Sequence, residues 1–570
     1  VRSEEGDLYF LLPTLYFLLP TLYFLLPTLY FLLPTLYFLL SFPATVKIEP
    51  LRGFHRHCMV TEAEVHQSLL AFLRLQTGPT PWQHHLTLAR LVTRALRLGR
   101  SALIQTATRP ATYCLSYLAA CLLWPEAVVI VTPEQHQEHL LNVEIPRLLQ
   151  GLGVSKAVEQ GDRLPPNFDG LLLTTPQIWL SDQFTTPGKR FPPHIPTLID
   201  PADDWAKLTR DQLTLTLTPA DWDQLLTHLP AQGETLHSLY QHLTASIRRR
   251  PLNPYHSHPL NSHERELLGQ LYNLLPAPPL PGPWGEFQQR WPQTGQLHWS
   301  SRAPESQGVI LHTAPMEVNE ALRPVWAQQP IVLIGGFLGL ETDGGDRFRQ
   351  QLGLGELTTV KFSPQRQNDY IQLYVPDRIP LPNTRDFQPH LLEQLVRLCR
   401  GGRLGQRQGY RQPPAWIAPL KRPAVIIVED VPLRAQVATT LAAEFGRLVR
   451  VEQGLQEPEG ILVCGWGFWR EHQGDGLPPQ LLAIATLPLP SMEDPLVAGR
   501  VNHYKQQHQD WFHHYLLPVA MGELQRAVMP VREVQGVVAL LDNRVNHRSY
   551  GRKILNALEP LARINYIDFL

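Results

Sequence analysis

Residues 400–422 mix cations and aromatics in a glycine-rich run: Arg400-Gly-Gly-Arg403-Leu-Gly-Gln-Arg407-Gln-Gly-Tyr410-Arg411-Gln-Pro-Pro-Ala-Trp416, then Lys421 and Arg422. Cations of this kind track phosphates, and the rings of Tyr410 and Trp416 present faces on which bases stack, so the composition suits a single nucleic-acid strand. A plain interdomain linker has similar composition, and both readings stand. Arg90, Arg94 and Arg97 share one face of a helical stretch at 84–98, with Arg100 just beyond. A solvated helix face explains them as well as a phosphate contact does. Arg248, Arg249 and Arg250 close another helical run, where compensation of the helix dipole is an equal account.

Chemistry of this kind needs elements to hold it. The spacing predicts helices over 61–76 and 84–98, the second from Leu86, Leu88, Leu91, Val92, Ala95 and Leu96 at helical period. Thr61-Glu-Ala-Glu-Val65 has the spacing of a capping box. Short apolar runs at Ser101–Gln105, Ala127–Pro133, Gly170–Pro176 and Thr197–Asp200 read as buried strands. Strands alternating with helical runs predict a doubly wound parallel sheet, whose ligands sit at the carboxyl ends of the strands. From 205 to 300 the pattern is helical (Asp221–His228, Leu236–Arg249, Glu264–Leu275) without clear strands, ending in the stiff run Pro276-Ala-Pro-Pro-Leu-Pro-Gly-Pro283. A second α/β unit follows, with strands expected at Val309–His312, Ile331–Ile334, Tyr370–Val375, Ala424–Val428, Gly460–Val463, Leu482–Ala485 and Val537–Leu541.

Composition sets the outer bounds. At 570 residues, 44% hydrophobic and 18% charged, the chain is a cored globular protein of two or three domains. A net charge of −1 gives no global basic field, so nucleic acid would have to be held by a local patch. The 54 prolines favour loops and short connections over long bundles. Five cysteines without a C-x-x-C pair fit a reducing cytoplasm and argue against a disulfide framework or zinc site. Leu-Tyr-Phe-Leu-Leu-Pro-Thr repeats from Leu8 to Thr35, with a partial copy to Leu40. Its length and hydropathy allow a membrane span, but a proline every seventh residue costs about 3 kcal/mol each time in a helix interior. An exact peptide repeat is also what an in-frame tandem DNA repeat encodes, and the first methionine is Met59. Residues 1–58 are therefore expected to be upstream DNA read through from a misplaced start, with a membrane anchor as the alternative.

The carboxyl-terminal half carries words in a fixed order: Cys464-Gly-Trp-Gly-Phe-Trp-Arg-Glu471, Leu487-Pro-Leu-Pro-Ser-Met-Glu-Asp-Pro-Leu496, Gly536-Val-Val-Ala-Leu-Leu-Asp-Asn-Arg544 and Ser549-Tyr-Gly551. This order resembles the second motor domain of the DinG/XPD branch of superfamily 2 DNA helicases. The family reads roughly G-x-x-S-F-W-E-G-V-D, L-P-F-x-x-P-x-D-P, Q-x-x-G-R-x-x-R and G-V-V-x-x-L-D-x-R…S-Y-G. The resemblance covers about residues 61–570 and is most specific in this half.

Carried over residue by residue, it leaves the ATP machinery thin. The family's A-G-T-G-T-G-K-T falls on Ala107-Thr108-Arg109-Pro110-Ala111-Thr112-Tyr113-Cys114, with Tyr113 in the lysine slot and Cys114 in the Ser/Thr slot. A phosphate loop needs glycines, whose amides wrap the phosphates. Here none remains, although Arg109 can approach a phosphate. An ordinary structural loop is the competing reading. Thr132, with Gln135 and Gln137, fits the word that contacts DNA backbone, and equally fits a capped strand-to-helix turn. Thr174–Leu180 fits a further family word. Asp200 sits in the D-E-A-H position, where it either holds Mg²⁺ or caps a strand; Pro201 and Asp203 replace the glutamate and histidine. Ile334-Gly-Gly-Phe-Leu338 stands where the family has T-S-A-T-L. Arg526 and Arg532 are the candidate arginines of the Q-x-x-G-R-x-x-R word, with plain surface positions as the alternative. Between Thr112 and Asp200 only Cys114 and Cys121 occur, seven apart on one helix, so no Fe–S cluster is expected.

The resulting expectation is two RecA-like α/β domains of the P-loop NTPase type with a helical insert in the first, resembling the family's arch. The boundaries expected are 1–58 for the repeat, 59–204 for the first domain, 205–300 for the insert with its proline-rich linker, and 301–570 for the second domain. The resemblance implies ATP with Mg²⁺ and DNA unwinding in repair or replication. The residues imply a cytoplasmic, non-membrane homologue with decayed ATPase motifs that binds single-stranded DNA. The alternatives are a working helicase with an atypical nucleotide site and a protein-interaction scaffold.

Overall fold

The computed structural model describes residues 60–76, 82–303, 308–339, 344–364, 366, 369–400, 423–454, 460–474 and 476–564. The heptapeptide repeat lies outside the described residues. So do Arg403, Arg407, Tyr410, Arg411, Trp416 and Lys421.

The first sheet begins with β1 (Ala102–Gln105), β2 (Val128–Val131), β3 (Val158–Gln160), β4 (Leu171–Thr174) and β5 (Thr197–Ile199). The chain then leaves for an insert containing β6 (Leu215–Leu217), β7 (Ser257–Pro259), β8 (Gln296–Arg302) and β9 (Val309–Pro315). It returns with β10 (Ile331–Gly335) and β11 (Thr358–Lys361), giving a seven-stranded order β11-β1-β10-β5-β2-β4-β3, parallel throughout. The central strands are continuously apolar because helices cover both faces. Ile104, Ile130 and Leu198 pack with helices Glu62–Arg74, His85–Leu98 and Pro110–Leu123. Their neighbours Leu103, Val129 and Ile199 face Trp179, Trp205 and Leu322 on the other side, as the two-residue period requires.

The second sheet repeats the plan. It contains β12 (Ile371–Tyr374), β13 (Ala424–Ile427), β14 (Val449–Val451), β15 (Ile461–Cys464), β16 (Leu481–Ile484), β17 (Val537–Leu540) and β18 (Leu561–Ile564). The order is β14-β15-β13-β16-β17-β12-β18, again all parallel. The surviving family words hold this domain together. Asp542 is buried, accepts from the Leu487 amide at 2.8 Å and pairs with Arg544, joining two of the words. Asp494 caps the helix Pro495–Gln506, whose first position is the proline of the same word. Gly536 and Gly551 sit where a Cβ would lie 2.7 Å from the Gln480 carbonyl and 1.8 Å from the Val545 carbonyl.

Three expectations change. The insert is not helix alone: β6-β9-β8-β7 form an antiparallel sheet beneath helices Pro219–His228, Gly233–Arg249 and Ser262–Leu274. β6 and β7 are three residues each, and β8 alternates Leu, His, Trp and Ser, so neither length nor apolar run announced them. The strand at Val309 belongs to this insert sheet, and those at Ile331 and Thr358 complete the first sheet by flanking β1. A chain cut at 301 therefore falls within β8. The Pro276–Pro283 run connects two insert helices and leads into buried Trp284, whose indole donates to the Asp221 carbonyl at 2.8 Å. The capping box at Thr61 is present, with reciprocal bonds of 2.8 and 3.3 Å to Glu64.

Gly551→Ala is expected to destabilise the chain by about 3 kcal/mol, the upper end of the overpacking range, because the clashing atom is a backbone carbonyl. Urea denaturation measures it. A loss under about 0.5 kcal/mol, the size of an ordinary surface substitution, would show that the Val545 turn yields freely.

Candidate functional site

The carboxyl ends of β1, β5 and β10 meet where a nucleotide would sit in such a sheet. The loop after β1 is fastened to the loop after β10. Thr106 N donates to the Gly335 carbonyl at 2.8 Å, and Ala107 N to that of Gly336 at 2.9 Å. Thr106 Oγ1 donates to the carbonyls of Thr108 and Gly335. Asp203 accepts the amides of Gly336 and Phe337 at 3.0 and 2.8 Å. Pro110 opens the following helix without an N–H, and the Thr112 amide turns back to the Arg109 carbonyl at 2.9 Å. The amides of Thr106, Ala107 and Thr112 are thus spent within the protein.

Tyr113 points inward. It is fully buried, and its hydroxyl donates to Asp200 Oδ1. Tyr117, one helical turn on, hydrogen-bonds the same carboxyl. Burial pushes Asp200 up to about 7 against the opposing pull of these two hydroxyls. Burial and the nearby Asp200 charge push the Tyr113 phenol well above its ordinary value. Cys114 is buried with Sγ against the Ala111 carbonyl, and burial raises its thiol as well.

Side chains of the second domain close over this edge. Arg109 Nε meets Glu533 Oε1 at 2.7 Å, its Nη2 bonds the other carboxylate oxygen, and Nη1 donates to the Gln473 carbonyl at 3.1 Å. Met529 packs with Ala107 and Phe337, and its methyl would lie 2.8 Å from a Cβ at Gly336. Arg526 bridges Asp204 of the first domain and Glu523 of its own helix, both at 2.8 Å, and Arg470 binds the far side of Glu523 at 3.0 Å. Burial alone would lower the Arg526 pKa, yet Asp204, Glu523 and Asp203 raise it above its usual range. Arg526 is therefore an interdomain strut.

Arg532 lies elsewhere. Its buried guanidinium donates to the carbonyls of Asp369, Pro560 and Leu558 at 2.8, 2.9 and 2.6 Å, and burial lowers it to about 10. It ties together the second domain's own segments. Thr132 is also buried. Its amide donates to the Thr174 carbonyl at 3.0 Å, and neither threonine hydroxyl has a hydrogen-bond partner. Glu533 and Met529 were not foreseen. Counting Q-x-x-G-R-x-x-R from Gln525 puts Val528 on the glycine, Met529 on the first arginine and Arg532 on the second, with Glu533 one residue beyond the word.

Two parallel sheets with helices on both faces and facing carboxyl-end loops define a pair of RecA-like domains, the plan of XPD-type helicases. Residues 475–561 match the helicase C-terminal domain family. The ATP-dependent DNA helicase YoaA of Haemophilus influenzae is 30% identical over 263 residues, 44% of this chain and 39% of that protein. Its Escherichia coli K12 namesake is 31% identical over 128 residues, 22% and 20% of the two chains. The match thus spans well under half the length of either relative. Among solved structures, Xpd4 of S. tokodaii has a TM-score of 0.54 at 14% identity, covering 85% of this chain and all of that one. An apo XPD structure has a TM-score of 0.50 at 13% identity and covers 84%. At such identities the structures show the fold alone. Together with the domain and sequence matches, they make this chain similar to the DinG/XPD-like helicases of superfamily 2.

Asp200 gives the site a pH signature. Between about pH 4 and pH 7 the folded chain keeps a proton that the unfolded chain has lost. Stability should therefore fall as pH rises through that window and level off above it. Asp200→Asn leaves an acceptor for the phenols and removes the titration, so its unfolding free energy should lose this slope. An equal slope in both proteins would show that Asp200 ionises normally in the fold.

Proposed function

We propose that this chain is a nucleic-acid-binding DinG-like protein whose nucleotide cleft is closed by side chains in place of ATP. The observation that carries the reading is the Arg109–Glu533 pair, which joins the phosphate-loop position of one domain to the residue just past the Q-x-x-G-R-x-x-R position of the other. A motor of this class needs a cation in the loop and another in that word, facing phosphate oxygens. Here Arg109 is neutralised by Glu533, and Met529 stands in the slot of the first arginine. Met529 fills the space beside Gly336, and Tyr113 takes Asp200. The cradle does not fit a triphosphate with Mg²⁺. Loss of the catalytic arginine alone costs about 10³–10⁵ in rate, and the lysine position is lost as well.

On this reading the nucleic acid is single-stranded DNA, met in the cytoplasm and held in part by Arg403, Arg407, Arg411 and Lys421 with Tyr410 and Trp416. The family relationship and the composition of that segment support it. Among the described residues no helix is long and apolar enough to cross a membrane, and no group of metal-ligating side chains gathers.

Single-stranded DNA affinity should be the same within about twofold with and without a non-hydrolysable ATP analogue, since a ligand without differential affinity shifts no equilibrium. ATP turnover should stay at background. A DNA-stimulated rate of about 1 s⁻¹ or more, in the range of working enzymes, would overturn the reading in favour of an active helicase. The clasp itself is tested by a double-mutant cycle. Arg109→Glu and Glu533→Arg should each loosen the interdomain contact. Together they should recover about 1–3 kcal/mol of coupling, as for residues sharing one ion pair. Additive losses would remove the clasp from the argument.

A further inference from the structure

A second charged surface lies away from the cleft. Helices Glu62–Arg74 and His85–Leu98 pack side by side and leave an open groove of about 700 Å³ between them. Arg90, Arg94 and Arg97 line it at successive turns of one helix, opposite the buried stripe of Leu88, Val92 and Leu96. Residues three and four apart on a helix are neighbours, so these three like charges repel one another. Glu62 is the one acid of the lining, and Arg97 takes it at 2.7 Å. Arg94 contributes only a longer-range attraction to Glu62, and Arg90 forms no ion pair with a described residue. Both are exposed. The helix dipole favours Arg97 in the last turn, but Arg90 sits too far up the helix for that account. A repelling stripe in a concave wall, short of its own acids, calls for an external anion.

We propose that this groove binds the phosphates of a nucleic-acid strand through Arg90 and Arg94, a contact that rests on the nucleic-acid reading above. The axial rise places the two guanidinium stems about 6 Å apart along the groove, an elongated arrangement suited to a polyanion rather than to one compact ion. The rest of the wall is polar: the Thr87 hydroxyl and the His66 ring can add donors to phosphate oxygens. Only Ala63 and Leu91 are apolar, so a peptide finds no side-chain pocket here. Arginine suits the task because its planar fork meets phosphate oxygens in pairs.

The test uses the full chain and a fluorescein-labelled oligothymidylate, with anisotropy read across a salt series. Each phosphate neutralised on a single strand adds about 0.7 to the logarithmic salt slope. Arg90→Gln with Arg94→Gln should weaken binding roughly tenfold at low salt and flatten the slope by roughly 1.4. Arg248→Gln with Arg249→Gln, the same change in net charge on the insert, should leave the slope alone. Thermal melting followed by circular dichroism should confirm that both variants are folded. Equal slopes for wild type and the groove variant, or equal flattening in both variants, overturn the groove while the nucleic-acid reading stands. No oligonucleotide binding by the wild type overturns both. Tripolyphosphate or polyglutamate that binds more tightly per charge than the oligonucleotide, and loses that binding in the groove variant, reassigns the groove to a free polyanion or an acidic peptide.

Discussion

An arginine in a phosphate loop must find an anion, and in this chain the protein supplies it. With Arg109 only 13% and Glu533 only 29% exposed at their side chains, neither charge can be left alone cheaply. Removing one partner of such a desolvated pair costs about 2–5 kcal/mol. The pair joins the two RecA-like domains at this edge. Around it the other contacts fall into place: Met529 against Ala107 and Phe337, and the alternating series Asp204, Arg526, Glu523, Arg470. Asp200 is left on the inner side of the closed edge, where burial makes its proton hard to lose and two phenols satisfy it.

Much of the fold could be read from the residues, because parallel strands buried on both faces leave continuous apolar runs such as Val128–Val131 and Ala424–Ile427. The insert could not. Its strands are short, and His298 and His312 face opposite sides of one sheet, each satisfied by a hydroxyl from Thr313 or Ser301. A strand with polar groups on both faces has no period to detect. The allocation of β10 and β11 also escaped the sequence. A strand's sheet is set by long-range pairing, and the insert places more than a hundred residues between β5 and its neighbour β10.

The site divides along the same line. The glycines and aspartates of the family words are easy to recognise, since they answer local demands that any copy of the domain must meet: Gly536 and Gly551 against carbonyls, Asp542 at a strand end, Asp494 as a cap. Arg526 and Arg532 looked alike in sequence because both are arginines in the right neighbourhood. Only their partners separate them, an aspartate across the cleft for one and backbone carbonyls for the other. Glu533 was passed over because it lies one residue beyond the family word. Its meaning depends on Arg109, 424 positions away.

A motor works by letting a ligand choose between two domain arrangements. Moving such an equilibrium from 1:99 to 99:1 needs about 5.5 kcal/mol of differential affinity, and in a helicase the triphosphate provides it by bridging loop and arginine. On the function proposed for this chain, the Glu533 carboxylate gives the loop an anion of the protein's own, so the closed arrangement is favoured without a triphosphate. On that proposal the fold keeps a nucleic-acid surface without the means to alternate it. The same proposal accounts for scaffold words that survive while Tyr113 and Met529 stand in the lysine and first arginine slots of the family pattern.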